Sequence, residues 1–246
     1  MGTELRLAGA RVTNVPPGSR VWAADQTQAY VTSGGDVRRC TPTGCAAPTS
    51  PLLYGSPVST MAIGAGDEAY VVDLSGNIYR QVGSSWDRIT TLASGMRNPV
   101  IVEPGHLVGI GGVGEVVEWR ADGGGTTVCS TPVCGNNSLD AVGGHWPDRM
   151  VAVGHSGRIV ARDPATGTWA AVTHELTDVR LRQVVTAGDR VLVRGDSDVV
   201  LQLDARGWMR ANLSQVDAAL TSIAGHADGS IWVRGQTGLY ELIDVP

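Results

Sequence analysis

Four cysteines, five histidines, a scatter of arginines and one tryptophan in an unusual setting are the residues of this 246-residue chain whose types and spacing bear on chemistry. The cysteines form two matched pairs, Cys40-Thr-Pro-Thr-Gly-Cys45 and Cys129-Ser-Thr-Pro-Val-Cys134. An even count in local pairs within turn-rich sequence points to two disulfides formed in an oxidising compartment. Zinc is the weaker alternative, because its usual clusters leave about two to four residues between cysteines and bring histidine with them. Lysine is absent, which excludes a Schiff-base or general-base lysine. The serines lie in glycine turns with no paired His and Asp, so no nucleophilic triad is visible. Trp146, in Gly-His-Trp-Pro-Asp, is a loop indole. Such a ring serves as a platform for a sugar face or a partner's hot spot, or it stacks on Pro147 as a turn staple.

The elements that must carry these residues follow from composition. With 33 Gly, 12 Pro, many Val and Thr and few runs of Ala, Leu or Glu, the chain favours short strands and frequent turns, and almost no helix. The formal charge is -5, and the 19 basic residues, all Arg, are dispersed, so no basic stripe exists to neutralise a phosphate backbone. Nucleic acid is therefore not an expected partner. Absence of both Lys and Phe fits the codon usage of a GC-rich bacterial genome. No run of about 18 apolar residues spans a membrane, and Met-Gly-Thr-Glu-Leu-Arg-Leu-Ala-Gly lacks the regions of a signal peptide.

A repeat organises the whole chain. A hairpin of two alternating strands around a small-residue turn recurs six times, with the turn residue at Gly35, Gly76, Gly114, Gly157, Ser197 and Gly238, hence at intervals of 41, 38, 43, 40 and 41 residues. A unit of about 40 residues matches the four-stranded blade of a β-propeller. An innermost strand precedes each hairpin, at Arg20 to Ala24, Thr60 to Gly64, Pro99 to Val102, Ala141 to Gly144, Arg182 to Thr186 and Thr221 to Ala224, rich in small residues that suit a crowded channel. An outer strand follows at Ser84, Gly167 and Gly207, where Trp86, Trp169 and Trp208 stand. The first and third units hold the Cys pairs instead, so a covalent staple replaces an indole there. The sixth unit lacks an outer strand, and residues 3 to 12 are expected to supply it against Leu239 to Ile243, closing one domain over residues 1–246. The fold class is thus all-β, a six-bladed β-propeller of four-stranded blades with blades starting near 20, 60, 99, 141, 182 and 221; stacked sandwiches or a solenoid are the alternative.

Met61-Ala-Ile-Gly through Val71-Val-Asp-Leu-Ser-Gly-Asn-Ile-Tyr-Arg to Ser84-Ser-Trp86 resembles the tectonin repeat of propeller lectins. Val151-Ala-Val-Gly-His-Ser-Gly-Arg-Ile-Val through Asp163 to Gly167-Thr-Trp169 is similar to the repeats of photosystem II assembly factors and secreted bacterial relatives. Its turn also resembles the sialidase Asp-box, though Asp163 stands two residues too far from Gly167. The first resemblance implies a glycan site near each blade interface. Sialidase chemistry needs an Arg triad and a Tyr-Glu pair; Arg194 and Arg234 in Val-Arg-Gly, with Tyr79, Tyr240 and Glu241, do not assemble it, because Glu241 faces away from its neighbour Tyr240.

Metal sites are equally thin. A channel calcium site requires inward carboxylates, and only Glu103 and Asp25 end inner strands. His106, His145 and His226 occupy the turn after the inner strand in three blades and read as separate polar rim residues. The expectation is an exported, non-catalytic binding module without cofactor, monomeric or part of a larger assembly, and not membrane-inserted. It would recognise a glycan or a cell-surface protein through loop residues Asp73, Asn77, His145, Trp146, His155, Arg158, Arg194, Asp196, Arg234 and Gln236, on a rigid scaffold with varied loops. A protein-assembly scaffold is the alternative.

Overall fold

The computed structural model describes residues 6–7, 10–13, 15–16, 20–23, 28–49, 57–64, 68–130, 132–134, 139–173, 178–196, 199–204, 207–211, 220–225, 228–235 and 239–242. They form two compact units, Met1–Gly105 and His106–Pro246.

The first unit contains β1 (Arg6–Leu7), β2 (Ala10–Arg11), β3 (Arg20–Ala23), β4 (Ala29–Ser33), β5 (Asp36–Thr41), β6 (Gly44–Cys45), β7 (Val58–Ile63), β8 (Ala69–Asp73), β9 (Asn77–Val82), β10 (Ser85–Thr91) and β11 (Arg97–Glu103). The second contains β12 (His106–Ile110), β13 (Val116–Arg120), β14 (Gly124–Cys129), β15 (Leu139–His145), β16 (Arg149–Gly154), β17 (Ile159–Arg162), β18 (Trp169–Ala171), β19 (Leu181–Ala187), β20 (Arg190–Gly195), β21 (Val200–Asp204), β22 (Gly207–Arg210), β23 (Ser222–Gly225), β24 (Ile231–Arg234) and β25 (Leu239–Leu242). Six antiparallel sheets follow in chain order: β3–β6, β7–β10, β11–β14, β15–β18, β19–β22 and β23–β25. This is the blade series of an all-β propeller. The first five sheets have four strands and the last has three among the described residues. The fourth strand expected there from residues 3 to 12 is not among the described pairings: β1 pairs with β2, Arg6 opposite Arg11 and Leu7 opposite Ala10. Apart from the single 3-10 turn His155–Gly157, no helix occurs among the described residues.

Burial explains the strand order within a blade. The second strands β8 and β12 are buried at every position, and β16 at all but its first, because sheets cover both of their faces. Outer strands such as β10 and β14 are mostly exposed. The apolar clusters therefore lie between successive sheets. In the first unit Tyr30 and Val37 pack with Met61, Val71 and Tyr79; in the second, Val151, Val153 and Ile159 pack with Leu181, Val191 and Val193. Trp86 spans such a boundary, its Nε1 donating to Thr49 Oγ1 at 3.0 Å. Trp169 is buried and Trp208 packs against the same cluster as Val193, as expected of the repeated indoles.

The repeated turn demands a left-handed residue. Gly76, Gly114 and Gly157 have φ of 80°, 81° and 65°, a region L side chains disfavour. In the first blade that role falls to Gly34 (φ 61°) rather than Gly35. Both disulfides form as local pairs. Cys40 and Cys45 face each other across β5 and β6, whereas Cys129 ends β14 and Cys134 lies beyond it, so the two staples occupy different places in their blades.

Candidate functional site

Backbone register creates the most elaborate polar cluster. The inner strands β7, β15 and β19 each carry an irregularity at the same point: Val58 pairs with Asp73 and Thr60 with Val72, leaving Ser59 over; Leu139 pairs with Gly154 and Ala141 with Val153, leaving Asp140 over; Leu181 pairs with Gly195 and Gln183 with Arg194, leaving Arg182 over. A bulge re-aims the extra side chain. Asp140 takes a bidentate hydrogen bond from Arg180, Nε to Oδ2 at 2.6 Å and Nη2 to Oδ1 at 2.8 Å, and His155 Nε2 lies 3.6 Å from Oδ2. Arg182 donates Nε and Nη2 to the two carboxylate oxygens of Asp196. The backbone holds the frame: Asp196 N donates to Arg180 O at 2.8 Å, and Gly157 N to Val179 O at 2.6 Å. Segment 179–180 is thus stitched to the turns of both adjacent blades.

Hydrogen bonds donated to Asp140 raise the Arg180 pKa above its ordinary value, and those donated to Asp196 do the same for Arg182. The Arg182 fork in turn holds the Asp196 carboxyl below the usual range. Arg194 is opposite in character: burial disfavours its charged form and lowers its pKa. Its Nη1 donates to Leu220 O at 3.1 Å, and its buried Nε has no hydrogen-bond acceptor. Arg158 Nη1 donates to Val133 O at 2.8 Å, tying its turn to the Cys129–Cys134 loop. Arg180 and Arg182 remain accessible, their side chains 36% and 41% exposed.

Trp146 lies at the other end of the blade. It precedes β16 and His155 follows it, so a six-residue strand separates them, about 20 Å. The sequence-predicted residues therefore divide into two groups: His145 and Trp146 at one end, His155, Arg158, Arg194 and Asp196 at the other. The indole is engaged by arginine and histidine rather than by an open loop. Arg162 Cζ sits 4.2 Å from the ring centroid, Arg120 Cζ 5.9 Å, and His106 meets it edge-on at 4.7 Å and 85°. Arg162 Nη1 also donates to Pro147 O at 3.2 Å. Beneath the indole His106 Nε2 lies 3.4 Å from Glu118 Oε2, both residues buried. Sequence reasoning missed this pair because Glu118 is opposite Val108, two residues along from His106, a diagonal visible only once register is known.

Several remaining candidates serve turns. Buried Asp73 accepts from Ser75 N at 2.8 Å, Asn77 N at 2.9 Å and Asn77 Nδ2 at 2.7 Å. Tyr79, also buried, points its hydroxyl at Asp73. Asp163 accepts from Ala165 N at 2.8 Å and Thr166 Oγ1 at 2.9 Å, which, led by the Ala165 N–H, lowers its pKa. Arg234 is exposed at the end of β24. His145 is half-buried, its Nε2 without an acceptor. Asp25, His226 and Gln236, and the side chains of Tyr240 and Glu241, lie outside what the structure describes. No group of three or more metal-ligating side chains converges among the described residues.

No protein-family profile matches the sequence, and no curated protein does. Solved structures define the class: the chain has the fold of β-propeller repeat proteins. Among them, virginiamycin B lyase from Staphylococcus aureus superposes with a TM-score of 0.74 at 12% identity, over 99% of this chain and 89% of that one. YCF48 bound to D1 peptide gives 0.66 at 14%, over 94% and 78%, and BamB from Moraxella catarrhalis 0.60 at 16%, over 97% and 95%. At such identities the likeness concerns the fold alone.

Proposed function

We propose that this chain is an extracytoplasmic, non-catalytic binding propeller that docks a protein partner through the bulged rim of Asp140, Arg180, Arg182, Arg194 and Asp196, taking an acidic segment. The observation that carries this reading is the pair of register-matched bulges that aim Asp140 and Arg182 into one network. Bulges of this kind recur beside functional sites. Three guanidiniums stand there against two carboxylates in a chain whose overall charge is -5. An incoming carboxylate exchanges with Asp140 or Asp196 at forks already held in geometry for bidentate contact. A structural relative captured with a bound peptide, YCF48 with D1 peptide, lends support by analogy. Two local disulfides support an oxidising location.

Glycan recognition with one site per blade would need a similar aromatic and polar set in most blades. Trp146 instead has Arg162 against its ring.

The test uses the oxidised protein immobilised through its α-amino group, which is feasible because there is no Lys. It is presented with an array of acidic peptides and a glycan array. Acidic peptides are expected to bind saturably, and the double variant R180E/R182E to weaken them about tenfold or more, while R210E, at the exposed end of β22, leaves them unchanged. Sugar-competed binding with no response to R180E/R182E would overturn the protein reading in favour of a lectin.

A further inference from the structure

The two disulfides differ sharply in access. Cys129 and Cys134 are both buried, at 6% and 0% exposure. Cys40 is buried too, but Cys45 is half-buried and lines an open groove of about 480 Å³ together with Arg39, Thr41, Thr43, Gly44 and Ala46. The groove is polar and prearranged. Gln28 Oε1 accepts from Arg39 Nε at 2.9 Å and Nη2 at 2.6 Å, fixing the guanidinium, and the Thr41 and Thr43 hydroxyls share a hydrogen bond of 2.8 Å.

We infer that Cys40–Cys45 is a thiol-exchange site, attacked at Cys45 Sγ through this groove by an anionic thiol, while Cys129–Cys134 is a sealed structural bond. In the first step the thiolate sulfur bonds to Cys45 Sγ. The Cys45–Cys40 bond breaks, and its electron pair leaves on Cys40 Sγ, which takes up a proton in its apolar setting of Val12, Ala29 and Val31. A second thiolate then attacks the sulfur of the first, the electron pair of the mixed disulfide leaves on Cys45 Sγ, which takes up a proton, and the products are the dithiol and one disulfide of the attacking thiol. Arg39 draws the anionic attacker toward the groove.

Opening this bond has a defined structural consequence. Among the described residues the two-residue strand β6 pairs with β5 alone, through Cys40–Cys45 and Thr41–Gly44, with neighbouring turn bonds such as Ala46 N to Arg39 O at 2.8 Å. Its Gly44 lies against Thr13, and Cys45 packs on the cluster that buries Val12. Reduction therefore loosens the outer edge of this blade and its hold on Val12, Thr13 and Val15.

Treating the folded, oxidised protein with reduced glutathione, quenching with an alkylating agent and mapping the peptides by mass spectrometry tests the inference. Cys40 and Cys45 are expected to label about tenfold or more faster than Cys129 and Cys134. The Arg39→Gln variant is expected to slow glutathione while leaving cysteamine, whose amine is cationic, at its original rate. Equal labelling of all four cysteines, or labelling only under conditions that unfold the protein, would overturn the exchange site. An unchanged glutathione rate in the variant would overturn the role of the groove.

Discussion

Arg20 donates to Ser59 O, Arg158 to Val133 O, Arg190 to Gly229 O and Arg194 to Leu220 O, each joining parts of the chain at least 25 residues apart. In a protein without lysine, the arginine fork serves as a strap to backbone carbonyls as well as a partner for carboxylates. The Arg182–Asp196 pair gives a pH prediction with a definite sign. The folded-state pKa of Asp196 is depressed, first by the Arg182 hydrogen bond, so its contribution to stability is present above the ordinary carboxylate pKa and lost as pH falls through the folded value. Both side chains are about two-fifths exposed, which limits the contribution to about 0.5 kcal/mol. Thermal melts at constant ionic strength should show Asp196→Asn slightly less stable at pH 7 and the gap closing below about pH 4. A gap independent of pH would remove the ion pair as its cause. At this scale the sequence disclosed the cysteine pairs, because they are local, and singled out Arg194 and Asp196. It did not disclose Asp140, Arg180 or Arg182 as a group, since their meeting depends on two bulges that leave no pattern in residue type.

At the scale of elements, each inner strand was legible within a residue or two, from Val58–Ile63 to Leu181–Ala187, because small-residue segments before every alternating hairpin leave little choice. The outer strands at Gly44–Cys45 and Gly124–Cys129 were harder to read, as short or Gly-rich exposed segments carry no alternation. The reason for small residues inside is steric. A Cβ on Gly225 would stand 2.0 Å from Thr186 O, backbone of the neighbouring inner strand, and one on Gly143 3.0 Å from a Val184 methyl. Side-chain amides reinforce the same seam: Gln183 Nε2 donates to Ile223 O at 2.8 Å and its Oε1 accepts from Ile223 N at 3.2 Å. Gly225→Ala must push two strands apart and is expected to cost about 3 kcal/mol in urea unfolding. Gly83→Ala, with φ of 60° but open space around it, should cost about 1 kcal/mol from backbone strain alone. If the two variants cost the same, close approach of the inner strands does not explain the glycine at 225.

The whole molecule draws its stability from repetition, and that fixes what the disulfides contribute. Clusters between successive sheets recur along the chain, so each sheet is supported mainly by its sequence neighbours. The 40-residue period was readable for this reason, whereas the face a ligand uses was not, since the turns described in the first four blades are of the same kind. Each disulfide closes a sequence separation of only five residues. Loops this short restrict the unfolded chain little, about 2 kcal/mol apiece by loop-closure entropy. Both together then amount to about 4 kcal/mol, comparable to two well-buried aliphatic side chains, of which this core has many. A small secreted domain held by its disulfides collapses when they are reduced; this chain should not. Reduced in denaturant, alkylated at all four cysteines and refolded, it is expected to regain its β-sheet circular dichroism with a melting temperature lower by about 10 °C. Failure to refold would mean that the staples, and not the stacked sheets, determine the fold, and would make the repeat a poor guide to where the stability resides.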